Sequence, residues 1–406
     1  MPAERIFFGW KVVGATFVVA MFSFGVGFFG PAVILQTLHS TRGWAISTIS
    51  ASISTHFLFS ALIGLYLPTI HARLGLGEAT CAGCVSSGIG LVAWATAWEP
   101  WQLFPAALLT GMGYSVTSVA AVNAIIARWF ERDRPKALSL ALNGMSVGGS
   151  ALVPLFAYSI SVIGFPATAA TVAIGMAALI CPLARRYLTP EPSDFGLAPD
   201  GRPQQSAAVH PPKPGLTRTE LLRDKRFRST SAAFALAHFA QIGLSTHLIA
   251  RLSPEFGVSV AAAAVSGAAI LGMIARTLLG WLVGNRDRRM IAAANFAAQG
   301  TGALLLTIGN NTPVLALGCL LFGIGLGNLP LLLPLIAQKE FNRGDIALVV
   351  AMLTTINQAV FGLSPAFFGL LRDATATYAA PFSIAAIAYI ISALIIAIGR
   401  NSNRPQ

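Results

Sequence analysis

The chain has 406 residues, of which 55% are hydrophobic and only 10% charged. A soluble domain carries roughly 25% charged residues, so water is the wrong solvent for most of this sequence. The formal net charge of +12 would suggest nucleic acid in a soluble protein, and only its distribution along the chain decides whether it does here.

A hydrocarbon core about 30 Å thick needs roughly 20 apolar residues per helix. Such stretches recur from Trp10 to Ile398 and give twelve expected spans: residues 10–31, 46–68, 79–97, 101–127, 136–160, 164–184, 230–251, 258–283, 289–309, 312–335, 345–371 and 377–398. Gly, Ser and Thr interrupt most of them and few segments alternate in polarity, so an all-α integral membrane protein fits better than an outer-membrane barrel. Span one follows Met1–Lys11 directly, is too long for a signal sequence and precedes no small-residue cleavage site, so it is expected to remain as a helix. In span three, Cys81 and Cys84 form a C-x-x-C without a second ligand pair, which reads as small packing residues rather than a metal or redox site. No cofactor is expected.

After span six the hydrophobicity collapses into PEPSDFGLAPDGRPQQSAAVHPPKPG and then LTRTELLRDKRF, a Pro-rich segment followed by a short amphipathic stretch. This linker, residues 185–229, separates an N-terminal half, 1–184, from a C-terminal half, 230–406. The halves echo each other: LLTGMGYS leading to ARWFERDR before span five parallels LLFGIGLG leading to QKEFNRGD before span eleven. Likewise Asn143, Gly148 and Pro154 are echoed by Asn357, Gly362 and Pro365. Repeated halves of six spans suit two pseudo-symmetric six-helix bundles and alternating access.

The basic residues fall almost entirely on the side of the termini: Arg5, Lys11, Arg73, the Arg128–Lys136 cluster, the linker, Arg286, Arg288, Arg289, Lys339, Arg343, Arg400 and Arg404. The other side has Arg42, Arg251 and Arg372. By the positive-inside rule both termini are expected in the cytoplasm and the chain in the inner (plasma) membrane. The charge then reports orientation in a lipid bilayer, and no nucleic acid is expected.

FFGWKVVGATFVV in span one, RGWAISTIS opening span two, NGMSVGG in span five, THLIARLSPEFGVS closing span seven, ARTLLGWLVGNRDRR in span eight and DFGLAPDG in the linker together resemble the major facilitator superfamily. The resemblance is closest to its monocarboxylate porter and oxalate/formate antiporter branch. It implies two six-helix bundles and a cavity lined mainly by spans one, four, five, seven, eight, ten and eleven. The superfamily's loop motif G-x-x-x-D-R-x-G is incomplete: LPTIHARLGLGE keeps Arg73 and Gly75 but has Ala72 where the acid would stand. The second copy has Gly284. The usual gating ion pair is therefore in doubt, although Arg286, Asp287, Arg288 and Arg289 offer local pairs. Otherwise these four form a solvated basic turn, which is the favoured reading.

Every Asp and Glu can be assigned to a loop, a terminus or a span end, so the expected hydrocarbon region contains no carboxylate, and Arg276 is its one fixed charge. It lies roughly 12 Å from the end of span eight, too deep to snorkel comfortably. Leaving a guanidinium at such depth costs about 2.5–3.5 kcal/mol on insertion scales. A substrate carboxylate, gripped through two parallel hydrogen bonds, would offset that cost. Alternatively Arg276 ties neighbouring backbone carbonyls together, with Gly272 and Gly280 on its face. The resemblance favours the first role, since ARTLLG aligns with the segment whose arginine binds substrate carboxylate. In animal relatives an aspartate precedes that arginine by one turn, where this chain has Gly272, and their span-one lysine is also missing here.

Moving a monoanion inward against a cytoplasm-negative potential costs about 2.3 kcal/mol per 100 mV, so proton symport, counter-anion exchange or efflux is expected. The titratable candidates in spans are His56, His238 and His247; the last two are nine residues apart and point to opposite faces of span seven. Each histidine serves as readily in ordinary helix-to-helix hydrogen bonding. Tyr114, Thr117, Ser118, Asn143, Gln241, Asn328, Asn357 and Gln358 are further candidates to line the cavity. Oxalate-exchanging relatives place a second cation on span eleven, where this chain offers Asn357 and Gln358, so a single carboxylate is favoured over two. The alternatives are efflux of apolar drugs or metabolites past Phe28, Phe29 and Phe322, and a ligand sensor without turnover. An enzyme is disfavoured, because no nucleophile–base pair, metal set or phosphate-binding loop stands out.

Overall fold

The computed structural model describes residues 7–44, 46–202, 215–309 and 311–400, except the side chains at 32, 36, 39, 40, 46, 47, 50, 153, 246, 249, 250, 253, 254, 257–263, 265, 266, 365, 366, 369, 370 and 373. Arg5, Arg404, the side chain of Pro365 and the linker's central residues lie outside the described set.

Helices account for nearly all of the described chain, with no strand among them. In order they are α1 (Phe8–Phe29, continued by Gly30–Arg42), α2 (Ile46–Gly64), α3 (Leu67–Thr96), α4 (Pro100–Trp129), α5 (Arg134–Ile163) and α6 (Phe165–Leu188). A short helix, Arg218–Arg223, precedes one unbroken helical stretch, Lys225–Leu282. Then come α9 (Arg288–Ile308), α10 (Thr312–Leu326 with Leu329–Glu340), α11 (Ile346–Phe361 with Ser364–Thr375) and α12 (Ala379–Ile398).

The stretch Lys225–Leu282 supplies two crossings. Near its start, Arg226 donates from Nη1 to the Glu340 carbonyl at 2.7 Å, and near its end Arg276 donates from Nε to the Gly327 carbonyl at 2.6 Å. Those two carbonyls stand at either end of the second half of α10, about 20 Å apart along the helix, whereas residues 226 and 276 would be about 75 Å apart on a straight one. The stretch must therefore double back. Arg251 marks the far end of the first limb, because it donates to the carbonyls of Leu306 and Gly309 at the close of α9. We label the outward limb α7 (225–251) and the returning limb α8 (Gly267–Leu282). With this division the helices number twelve, matching the spans expected from hydrophobicity.

The side chains left on the outside confirm the solvent. Leu58, Leu62, Leu155, Val162 and Ile174 of the first half and Trp281, Ile387 and Ile398 of the second are all exposed, which lipid tolerates and water does not. Helix starts carry the expected caps: Asp224 accepts from the amides of Arg226 and Phe227, and Asp287 from those of Arg289 and Met290. Gly75 breaks α3 near its start at φ +76°, a left-handed conformation that a side chain would resist.

The chain divides into two compact units, Met1–Lys213 and Pro214–Gln406. In the first, α1 packs on α5 and α3 on α4 and α6, around a core that includes Trp94, Leu103, Phe156 and Phe165. In the second, α9 packs on α12 and α10, and the limbs α7 and α8 meet α10, α11 and α12.

Candidate functional site

In the second unit the site is built around the break in α10. Its halves meet at Gly327 and Asn328 with a bend of 41°. The break has a covalent cause, since Pro330 has no N–H to give to the Leu326 carbonyl one turn earlier. The amide of Leu331 turns to Asn328 O at 3.1 Å, which strands the Gly327 carbonyl as well. Side chains take up these acceptors. Gln241 of α7 donates to Leu326 O at 2.9 Å and Arg276 of α8 to Gly327 O, while Asn295 of α9 adds a bond at 3.3 Å to Gly325 O, which already receives the Asn328 amide.

Arg276 reaches its carbonyl because α8 and α10 touch through glycine. A Cβ on Gly327 would collide with the backbone of Gly272, and one on Gly272 would lie 2.9 Å from the Gly327 nitrogen. This contact explains why Gly272 stands where the animal porters have an aspartate: no carboxylate fits there without parting the helices. The Arg276 side chain is 4% exposed.

A polar network continues behind the break. Gln241 Nε2 also donates to Gln299 Oε1 at 3.3 Å, Tyr389 Oη donates to the same oxygen at 2.9 Å, and Asn328 Nδ2 donates to Asn295 Oδ1 at 2.9 Å. Gln241 and Asn328 thus spend amide hydrogens on protein oxygens and brace the break. Asn295, Gln299 and Tyr389 escaped the sequence reading because α9 and α12 were not expected to line a cavity; the missing N–H of Pro330 was the available signal. Asn357 and Gln358 are both buried in α11. His238 faces Phe361 at 6.2 Å, and His247 stacks on Phe368 at 6.4 Å. Both histidines therefore reach α11, one meeting each half, since α11 is itself interrupted at Gly362 and Leu363.

The turn before α9 requires a correction. Expected as a solvated basic turn, it holds Arg289 at 2% exposure, ion-paired with Glu340 and donating to Ser229 Oγ, Thr230 Oγ1 and Arg226 O. Glu340 lies outside the span proper, which is why the hydrophobicity pattern did not reveal it as a mate. Asp287 caps α9 and pairs with Arg400 at 2.7 Å, Arg288 donates to the Leu335 carbonyl and Gln338, and exposed Arg286 donates to Leu282 O at 2.5 Å. In the first unit Arg73 is exposed beside the Gly75 kink.

The first unit contains a second polar focus. His56 of α2 is 2% exposed, with Nδ1 2.9 Å from Thr110 Oγ1 of α4. Its ring lies 5.6 Å from that of Tyr114 and 4.8 Å from that of Phe57. Thr117 bonds Ser23 Oγ at 2.7 Å, and Ser118 begins the second part of α4 after a short break. Asn143 is half-buried on α5. The break in α4 follows Ser115 as that in α10 follows Leu326, so the echoed Gly-rich segments of the two halves end in the same structural feature.

Comparison with known proteins agrees with this architecture. Monocarboxylate transporter 13 of Bos taurus is 25% identical over 394 residues, covering 93% of this chain and 86% of that protein. The human organic anion transporter MFSD10 (TETRAN) superposes with a TM-score of 0.68 at 15% identity, over 98% of this chain and 100% of that one. FucP in its outward conformation gives 0.73 at 14% identity, over 96% and 99%. These two likenesses are of fold. The sequence model of the Major Facilitator Superfamily matches residues 15–365, and with twelve helices in two units, this multi-pass membrane protein belongs to that superfamily of transporters.

Proposed function

We propose that the chain is a secondary carrier of a small monocarboxylate anion, with Arg276 as the anchor and both termini cytoplasmic. The observation that carries the reading is a permanent cation buried at a helix break and tied there to a neutral carbonyl. A carbonyl accepts a hydrogen but brings no net charge. The C-terminal dipole of Thr312–Leu326 adds at most about half a negative charge beside it. The sequence has no Asp or Glu in 226–254, 256–286, 312–339 or 346–372, the helical segments around that point.

The similarity to a monocarboxylate transporter supports this choice. Asn357 and Gln358 bring no second cation, which favours one carboxylate over two. Because inward movement of a bare monoanion opposes the membrane potential, the carrier works by proton symport or anion exchange in alternating access. A thermal-shift series on purified protein tests the substrate class, since a ligand at 100 times its Kd stabilises by about 2.7 kcal/mol. Acetate, lactate and pyruvate should raise the melting temperature more than oxalate and succinate do. A response to dicarboxylates alone, or to apolar drugs alone, would remove the assignment.

A further inference from the structure

We propose that His56 is the proton-carrying residue of this carrier, alternately binding and releasing one proton at Nε2 as the ring is held between Thr110 and the Gly27 carbonyl. The inference rests on the anion-carrier reading and adds to it the coupling ion and its site. Its basis is the donor and acceptor inventory around a buried imidazole in the first unit.

Thr110 Oγ1 lies 2.9 Å from His56 Nδ1 and 3.2 Å from each of the carbonyls of Ala106 and Ala107, and it also accepts from Trp94 Nε1 at 3.4 Å. In the tautomer with hydrogen on Nδ1, the hydroxyl gives its one hydrogen to a carbonyl of its own helix and receives Trp94 and Nδ1–H on its lone pairs. This assignment leaves Nε2 as a bare acceptor. Nε2 is buried and has no hydrogen-bond partner. The Gly27 carbonyl lies beside the ring, where it can accept from a protonated ring nitrogen. An added proton gives both ring nitrogens a hydrogen, with Thr110 as acceptor for Nδ1–H and the Gly27 carbonyl for Nε2–H.

Gly27 belongs to a π-helical segment of α1, Ser23–Phe29, and such segments carry displaced backbone hydrogen bonds and are frequent at functional sites. A Cβ at Gly27 would press on the Tyr114 ring at 2.7 Å, so glycine keeps α1 close to the histidine. A cavity lined by Ser23, Gly27, Cys84, Ser87 and Thr117 opens beside the same glycine, and its hydroxyls suit water that could deliver or remove the proton. Facing the ring are Tyr114 from α4, Trp94 from α3 and Gly27 from α1. Tyr114 is the titratable one among them. The charged residues of these helices, Lys11, Arg42, Arg73, Glu78 and Arg128, sit toward helix ends, so no fixed charge competes with the proton. The balance is one proton taken from water at Nε2 and returned to water on the opposite side, for each monocarboxylate moved.

The full-length protein in proteoliposomes, with labelled lactate, tests this. Two assays are compared: counterflow at equal pH, which needs no net proton movement, and accumulation under a gradient of one pH unit, which sustains up to about tenfold enrichment. His56→Gln should keep counterflow within about threefold of wild type and lose the accumulation. Retained accumulation overturns the proposal, as does loss of both activities in protein that stays monodisperse and melts normally. Wild-type counterflow without gradient-driven accumulation also overturns it while leaving the carrier reading intact. Absence of counterflow in the wild type overturns the carrier reading itself. Should His56→Gln fail to fold, Thr110→Val carries the test: it removes the acceptor of Nδ1–H, so the pH profile of accumulation should move, and an unmoved profile contradicts the proposal.

Discussion

Arg276 donates from Nε to the carbonyl of Gly327 at 2.6 Å, at the point where α10 breaks. Of the two roles that the sequence alone sets against each other, a tie between helices and an anchor for an anion, this bond shows the first, and the second is the proposal it must accommodate. The tie engages Nε of the guanidinium and helps to fix its plane. A cation held this rigidly loses little freedom when a carboxylate arrives, which is the physical content of preorganisation.

The contact between Gly272 and Gly327 makes this geometry possible and predicts intolerance at both positions. Gly327→Ala or Gly272→Ala must part the backbones of α8 and α10, and overpacking of this kind costs about 1–3 kcal/mol. Purified variants should melt several degrees below wild type, and Gly272→Asp lower still. A melting temperature unchanged in Gly327→Ala would show that the helices are not in contact.

Pro330 and Gln241 should behave as a coupled pair. With proline in place, the Leu326 carbonyl depends on Gln241, so Gln241→Leu costs about 1–3 kcal/mol for an unmet buried acceptor. Pro330→Ala restores the amide, and in that background the same change at Gln241 should cost markedly less. Chemical-denaturation or thermal cycles over the four proteins measure the coupling, and additive effects would contradict the account of the break.

Arg289 and Glu340 form a buried ion pair at 2% and 8% side-chain exposure. Removing one partner strands the other, so Arg289→Met and Glu340→Leu alone should each destabilise by about 3–5 kcal/mol, with the double variant recovering most of the loss. Thermal unfolding of the three proteins reads this directly. Equal destabilisation by the double variant would mean that Ser229 and Thr230 matter more than the pair.

Asp224 at the start of α7 gives a pH dependence of defined sign. Burial pushes its carboxyl upward, but hydrogen bonds from Arg226 and from the Phe227 amide outweigh that and hold it below its ordinary 3.8. A depressed acid contributes stability that is present above the ordinary value and lost as pH falls through the lowered one. The protection of the Arg226 and Phe227 amides relative to their intrinsic exchange rates should therefore fall only below about pH 4, and Asp224→Asn should abolish that step. Protection factors that change between pH 5 and 7 would point to another group.

Hydrophobic stretches and the echo between halves made the twelve helices legible, because bilayer thickness leaves little choice of length. The breaks were less so. Pro330 is visible in the sequence as a missing N–H, but that the orphaned Leu326 carbonyl would recruit Gln241 from α7 depends on which helices become neighbours. Arg276 stood out because charge is rare in oil, while Asn295, Gln299 and Tyr389 did not, because neutral polar residues are unremarkable singly and acquire meaning only as a network. Arg289 was misjudged for a related reason: its mate Glu340 is 51 residues away in sequence and is brought to it only by the packing of α9 on α10.

The most direct test of the anion anchor is lactate counterflow into proteoliposomes containing wild-type, Arg276→Lys or Arg276→Gln protein. Losing a charge-assisted, two-pronged contact of about 1.5–3 kcal/mol should lower kcat/KM roughly 10- to 100-fold in the glutamine variant. The lysine variant should fall between it and wild type, since it keeps the charge and loses the fork. Counterflow at wild-type rates in both variants would contradict the account, leaving Arg276 as a helix tie and nothing more.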